Sequence, residues 1–158
     1  MIYLLWAVIT FFILIIQSSV SLFDVAPNLT VVLASYAGIR KGEVKGMFFA
    51  SLIGIIEDSL SGAFLGPHLL SKGLIGYLSS FIYRNLFIWT PMLGIISISV
   101  LTLMDGFVVF ILRSIFDKMP VSFGAAAFII TIQSLFNAPL GILLRPRKHN
   151  REGTVKAQ

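Results

Sequence analysis

Four ionisable side chains, Glu57, Asp58, Lys72 and Asp105, lie inside otherwise apolar runs of this sequence, and the amide Gln17 sits in another. In hydrocarbon each such charge costs about 2.5 to 3.5 kcal/mol on insertion scales, so it should face a partner or a cavity. Two kinds of chemistry follow. Lys72 can pair with Asp58 or Asp105 and hold three helices in register, or the group can line a polar cavity that binds a ligand or ion. Lys72 near a span end could also snorkel to the interface without any partner. Glu57 and Asp58 are adjacent and point about 100° apart on a helix, so one site cannot take both well. Asp58 is the better candidate for a packed, functional position, and Glu57 is expected to reach toward the interface.

The preference for Asp58 comes from its company. Every fourth residue from Gly42 reads Gly42, Gly46, Ala50, Gly54, Asp58, Gly62 and Gly66. Four residues is close to one helical turn, so the first six form a small-residue track on a helix that is otherwise apolar. Such a track lets two helix backbones approach closely in a bilayer. Each step of four drifts about 40°, so the inner half from Gly42 to Ala50 and the outer half from Gly54 to Gly62 should face different neighbours. Asp58 is expected to face the bundle interior with the outer half. That leaves the inner half as a candidate partner-binding surface.

The setting is a membrane. The 158 residues are 57% hydrophobic and 12% charged, with a mean hydropathy of +0.94. Soluble domains carry about 25% charged residues. The formal charge of +5 lies at span boundaries, without a basic, aromatic-interleaved patch, so it reads as topology and nucleic acid is not an expected partner. There are no cysteines, and His68 and His149 make no metal spacing. No serine has a partner base. No catalytic residues, metal or cofactor are therefore expected, and the chain reads as a non-enzyme.

Six spans are expected: residues 2–23, 28–39, 46–61 after a basic turn at 40–45, 68–83, 87–116 and 121–144. The first lacks the basic start and cleavage site of a signal peptide. The second is short, since twelve residues rise only about 18 Å, and is read as a short spanning helix rather than a re-entrant one. Pro27 is expected as a first helical residue, Pro91 or Gly94 as a kink, and Pro139 as another. Trp6, Tyr83, Phe87 and Trp89 are read as interface anchors. Residues 145–158 form a basic, disordered cytoplasmic tail, so the domain division is 1–144 and 145–158. With both termini in the cytoplasm, Arg40, Lys41, Lys45, Arg84 and the tail cations lie inside and only Arg113 and Lys118 outside, as the positive-inside rule requires. That topology places Asp58, Lys72, Asp105 and Gln17 together in or near the outer leaflet, with His68 at the outer interface.

A family pattern overlies this reading. Pro27-Asn28-Leu29, the turn Gly38-Ile39-Arg40-Lys41-Gly42, the stretch from Gly54 through Glu57-Asp58-Ser59-Leu60-Ser61-Gly62, the pair Leu65-Gly66, and Gly76-Tyr77-Leu78 together resemble the rod shape-determining protein MreD family. The motifs cover about residues 25 to 82. The resemblance implies an all-α, polytopic inner-membrane protein, similar in fold to the substrate-binding components of energy-coupling-factor transporters. It implies a non-enzymatic scaffold of the bacterial cell-wall elongation complex that binds an MreC-type single-span protein. Through that partner it would meet a peptidoglycan polymerase, a transpeptidase and the cytoskeletal filament. Asp58, Gly54, Gly62 and Gly66 match the family's glycine–aspartate motif, whereas Lys72 and Asp105 match no motif. The alternative function is the substrate-binding component of a vitamin or metabolite importer, for which the outward polar cluster speaks.

Overall fold

The computed structural model describes residues 2–20, 25–61, 65–85, 90–116 and 122–145. Among them the chain is helical: α1 Ile2–Ser19, α2 Leu29–Lys41, α3 Glu43–Ser61, α4 Pro67–Asn85, α5 Pro91–Phe116 and α6 Phe123–Asn137, followed by a 3₁₀ segment, Ala138–Leu143. Gly62, Phe87, Trp89, the expected turn at 117–120 and the expected tail from residue 146 lie outside the described residues.

The sequence explains where these helices begin and end. Pro91 opens α5 rather than kinking it, because a proline at the first helical position gives up an N–H that would have no intrahelical partner anyway. Pro67 does the same for α4. Pro27 stands two residues ahead of the start of α2 instead of opening it. Gly42 alone separates α2 from α3, with φ of 84°, a conformation that disfavours any side chain. Pro139 shows up as the change from α to 3₁₀ geometry just after Asn137, where the missing N–H breaks the α ladder.

Helices α2, α3 and α4 form the tightest unit, packed on each other by small residues. A Cβ on Gly46 would come 2.5 Å from the Cα of Gly38, and one on Gly76 would come 2.6 Å from the Ala50 Cβ and 2.7 Å from the Gly46 carbonyl oxygen. Gly38 in turn lies against the Gly76 carbonyl. Three glycines, one per helix, thus meet at a point where no side chain fits. Ala34, Ala37, Ile53 and Ile75 continue this core. Near the same end Arg84 Nη1 lies 2.9 Å from Glu43 Oε1, tying the end of α4 to the start of α3.

Helices α5 and α6 pack beside that unit. Gly141 of the 3₁₀ segment lies against the Gly94 carbonyl, and a Cβ on Gly106 would come 2.6 Å from Ile130. Helix α1 rests on α2 and α3, with the Trp6 ring tilted against Phe49 (centroids 5.3 Å apart) and Tyr36 (6.2 Å). Trp6 and Tyr83 are thus packing residues, Tyr83 being buried in the core.

The outer faces are apolar. Leu4, Phe12, Met92, Phe107, Ile115, Phe123 and Leu143 are all more than half exposed. A surface this greasy is out of place in water and normal against lipid. Two helical stretches, Pro91–Phe116 and Phe123–Leu143, are long and apolar enough by themselves to cross a membrane.

Candidate functional site: a buried ion network beside a cleft

At the end of α2–α4 away from Arg84, five helices meet through polar groups. Lys72 is fully buried on α4. Its Nζ lies 2.8 Å from Asp105 Oδ2 on α5 and 3.3 Å from Glu57 Oε2 on α3. Asp105 also accepts hydrogen bonds from Asn28 Nδ2 (2.9 Å) and Ser71 Oγ (2.6 Å). The Thr30 hydroxyl stands 2.8 Å from both Glu57 Oε2 and Asn28 Oδ1 and can donate to one at a time. Asn137 Nδ2 completes the set from α6, donating to the Asn28 carbonyl (2.7 Å) and to Thr102 Oγ1 (3.1 Å).

A charge buried this fully is tolerable only when paired and hydrogen-bonded, and Lys72 is both. One ammonium and two carboxylates from three helices fix the register of all three. Lys72 therefore does not snorkel, and of the two expected partners it takes Asp105.

Asp58 is a correction. It is buried but touches none of these groups. Its carboxylate accepts the backbone N–H groups of Gly66 (2.9 Å), His68 (3.1 Å) and Leu69 (3.0 Å), so it closes the first turn of α4 from a neighbouring helix. Glu57, expected to reach toward the interface, takes the place in the cluster. The 100° between adjacent residues was the right rule. Only the position of α4 decides which of the two faces Lys72.

The rest of the track is also consumed within the chain. Gly46 and Ala50 are buried against α2 and α4, and a Cβ on Gly54 would come 2.5 Å from the His68 carbonyl carbon on α4. Gly42 and Gly66 serve turns. The inner half is thus no free partner surface, because α2 and α4 already fill it. Gly62 lies outside the described residues.

A cleft of about 200 Å³ opens beside the network, lined by Gln17, Asn28, Glu57, His68, Asp105, Arg113 and Gln133, with Val109, Phe110, Ala126, Ile129 and Ile130 as its apolar wall. Gln17 Oε1 accepts the Leu29 N–H (3.0 Å), joining α1 to the start of α2. Gln133 Nε2 donates to the Ala26 carbonyl (3.2 Å). His68, expected at the interface, sits between charges. Its Nδ1 is 3.4 Å from Glu57 Oε1, in ion-pair reach but without a hydrogen bond, and its Nε2 is 3.2 Å from Arg113 Nη2. Arginine only donates, so Nε2 accepts and the ring proton belongs on Nδ1, facing Glu57. Asn28, Thr30, Ser71, His68, Arg113 and Asn137 were not singled out as site residues from sequence. Most are uncharged, and each reaches its partner from another helix.

Among the described residues, no group of three or more His, Cys, Asp or Glu side chains is arranged to hold a metal ion. The model of the rod shape-determining protein MreD family matches residues 1–147, and the chain belongs to that family. Comparison with curated proteins and comparison with solved structures each give no match.

Proposed function

We propose that this MreD-family membrane protein is a non-enzymatic scaffold of the cell-wall elongation machinery, with six spans, both termini cytoplasmic, and an MreC-type single-span protein as its direct partner. The carrying observation is the family match over residues 1–147, which makes it a membrane protein of rod-shape determination. The apolar outer faces and the buried Lys72 network support the reading: the network's geometry serves to lock helices together. Since α2 and α4 occupy the glycine track, a partner span would meet one of the exposed apolar faces instead. The comparisons lend no support to the importer alternative.

The test is depletion in a rod-shaped host followed by co-purification. Loss of the protein should turn rods round, and the detergent-extracted chain should capture the MreC-type partner. Cells that stay rod-shaped would overturn the role in shape. Capture that fails while shape depends on the protein would overturn the partner.

A further inference from the structure

We propose that the corner of α1, α2 and α3 at the Arg84 end of the bundle binds the phosphate head group of an anionic phospholipid, held by Arg40, Lys41 and Lys45 beside three aromatic rings. The rings come first. The Trp6 ring of α1 tilts against Tyr36 of α2 and Phe49 of α3, with centroids 6.2 and 5.3 Å apart, so one indole joins the other two rings. The Arg40 guanidinium lies over the Tyr36 ring, 5.2 Å from its centroid, and the Lys41 ammonium lies over the Phe49 ring at 5.1 Å. Lys45 precedes Phe49 by four residues, so it stands one turn further out on the same face of α3. Two neighbouring residues at the end of α2 and one at the start of α3 thus bring three cations to one corner.

The ring contacts place Arg40 and Lys41 and leave them donors to spare. A cation over an aromatic face is attracted by the ring quadrupole, and N–H groups not aimed at the ring stay free for oxygen acceptors. Among the described residues, none of the three cations donates a hydrogen bond or has a carboxylate within 4.0 Å. Side chains already held in place lose less freedom on binding than free surface side chains do. That separates this corner from a general basic belt, in which each cation snorkels by itself.

The charge balance selects the head group. Among the described residues Glu43 is the one carboxylate at this end, and Arg84 takes it at 2.9 Å. An ammonium-bearing head would bring a further cation where no acidic partner is left for it. A head with net negative charge meets all three cations, and the arginine fork matches phosphate oxygens. Position decides the source. Leu5, Val44 and Phe48, next in sequence to Trp6, Lys45 and Phe49, are more than half exposed, so the corner lies where hydrocarbon begins and a lipid carries the phosphate to it.

The test is native mass spectrometry of the full chain released from nanodiscs of phosphatidylethanolamine, phosphatidylglycerol and phosphatidylcholine in equal parts. The expected result is retention of phosphatidylglycerol about tenfold above the other two, the worth of one charge-assisted hydrogen bond. The double variant Arg40→Gln, Lys41→Gln should bring it down to their level. Tyr36→Leu keeps every charge and removes one ring, and should lower retention about threefold. Unchanged melting temperatures in detergent check the folding of both variants, and if the double variant melts early the Tyr36→Leu result decides. Equal retention of all three lipids, or undiminished retention by Tyr36→Leu, overturns the proposal, since the cations would then serve topology alone. So does retention that excess inorganic phosphate abolishes, which would make this a site for a free anion. A photoreactive residue at position 45 that cross-links in cells to protein and not to lipid would overturn it as well, making the corner a docking site for an acidic partner segment.

Discussion

Helices α2, α3 and α4 run side by side, yet near Gly38 they meet backbone to backbone, whereas near Glu57 they meet through ions. At the first end Gly38, Gly46 and Gly76 leave only small side chains, Ala50 and Ser79, at the contact, and stability comes from dispersion over close surfaces. At the second, Lys72 draws Glu57 and Asp105 onto itself, and stability depends on leaving no charge unpaired. The first kind of contact tolerates no added volume. The second tolerates no lost partner. One bundle thus carries two fasteners with opposite sensitivities.

The comparison can be broken from the ionic side first. Lys72→Met keeps the volume but strands two buried carboxylates, and should cost about 3–5 kcal/mol in detergent unfolding. At the glycine end Gly76→Val pushes two methyl groups toward Ala50 and the Gly46 carbonyl, with an expected cost of about 1–3 kcal/mol or more. Gly42→Ala, between α2 and α3, meets no atom within 4 Å and should act only through its φ of 84°, costing about 1 kcal/mol. Equal losses at Gly76 and Gly42 would mean that close approach is not what Gly76 provides.

Asp58→Ala is intermediate. It frees three backbone N–H groups at the start of α4 and should cost about 1–2 kcal/mol, the range of a lost helix cap. Asp58→Asn should recover part of this, since its side-chain oxygen still accepts, and a full loss in Asn would point to a charge partner instead. The smallest effect belongs to Arg84→Gln. That pair with Glu43 is solvent-facing, so its loss should stay below about 1 kcal/mol and fade with added salt.

The two ends also differ in how readable they were. Recurrence of small residues at every fourth position is a property of one helix, so the track from Gly42 to Gly54 was legible without knowing any neighbour. What the period could not say is who fills the seam, and the answer is the chain's own α2 and α4. Helix boundaries followed from Gly42, Pro67 and Pro91, although Pro91 starts a helix where a kink was equally consistent with the sequence. The ionic end was legible only in part. Depth placed Lys72 near Asp105, because charge and topology are readable along the chain. The choice between Glu57 and Asp58 turned on where α4 lies. Asn28 reaches Asp105 from 77 positions away, and its amide gave no warning in sequence. Polar residues without charge can be surface, cap or core, and only packing separates these.

The most direct measurement is detergent unfolding of Lys72→Met beside the triple variant Glu57→Gln, Lys72→Met, Asp105→Asn. If the ion network is the fastener described, the triple variant removes the stranded charges and should regain a substantial part of the 3–5 kcal/mol lost by Lys72→Met alone. A triple variant less stable than Lys72→Met would contradict it, because each carboxylate would then stabilise the fold without its ammonium.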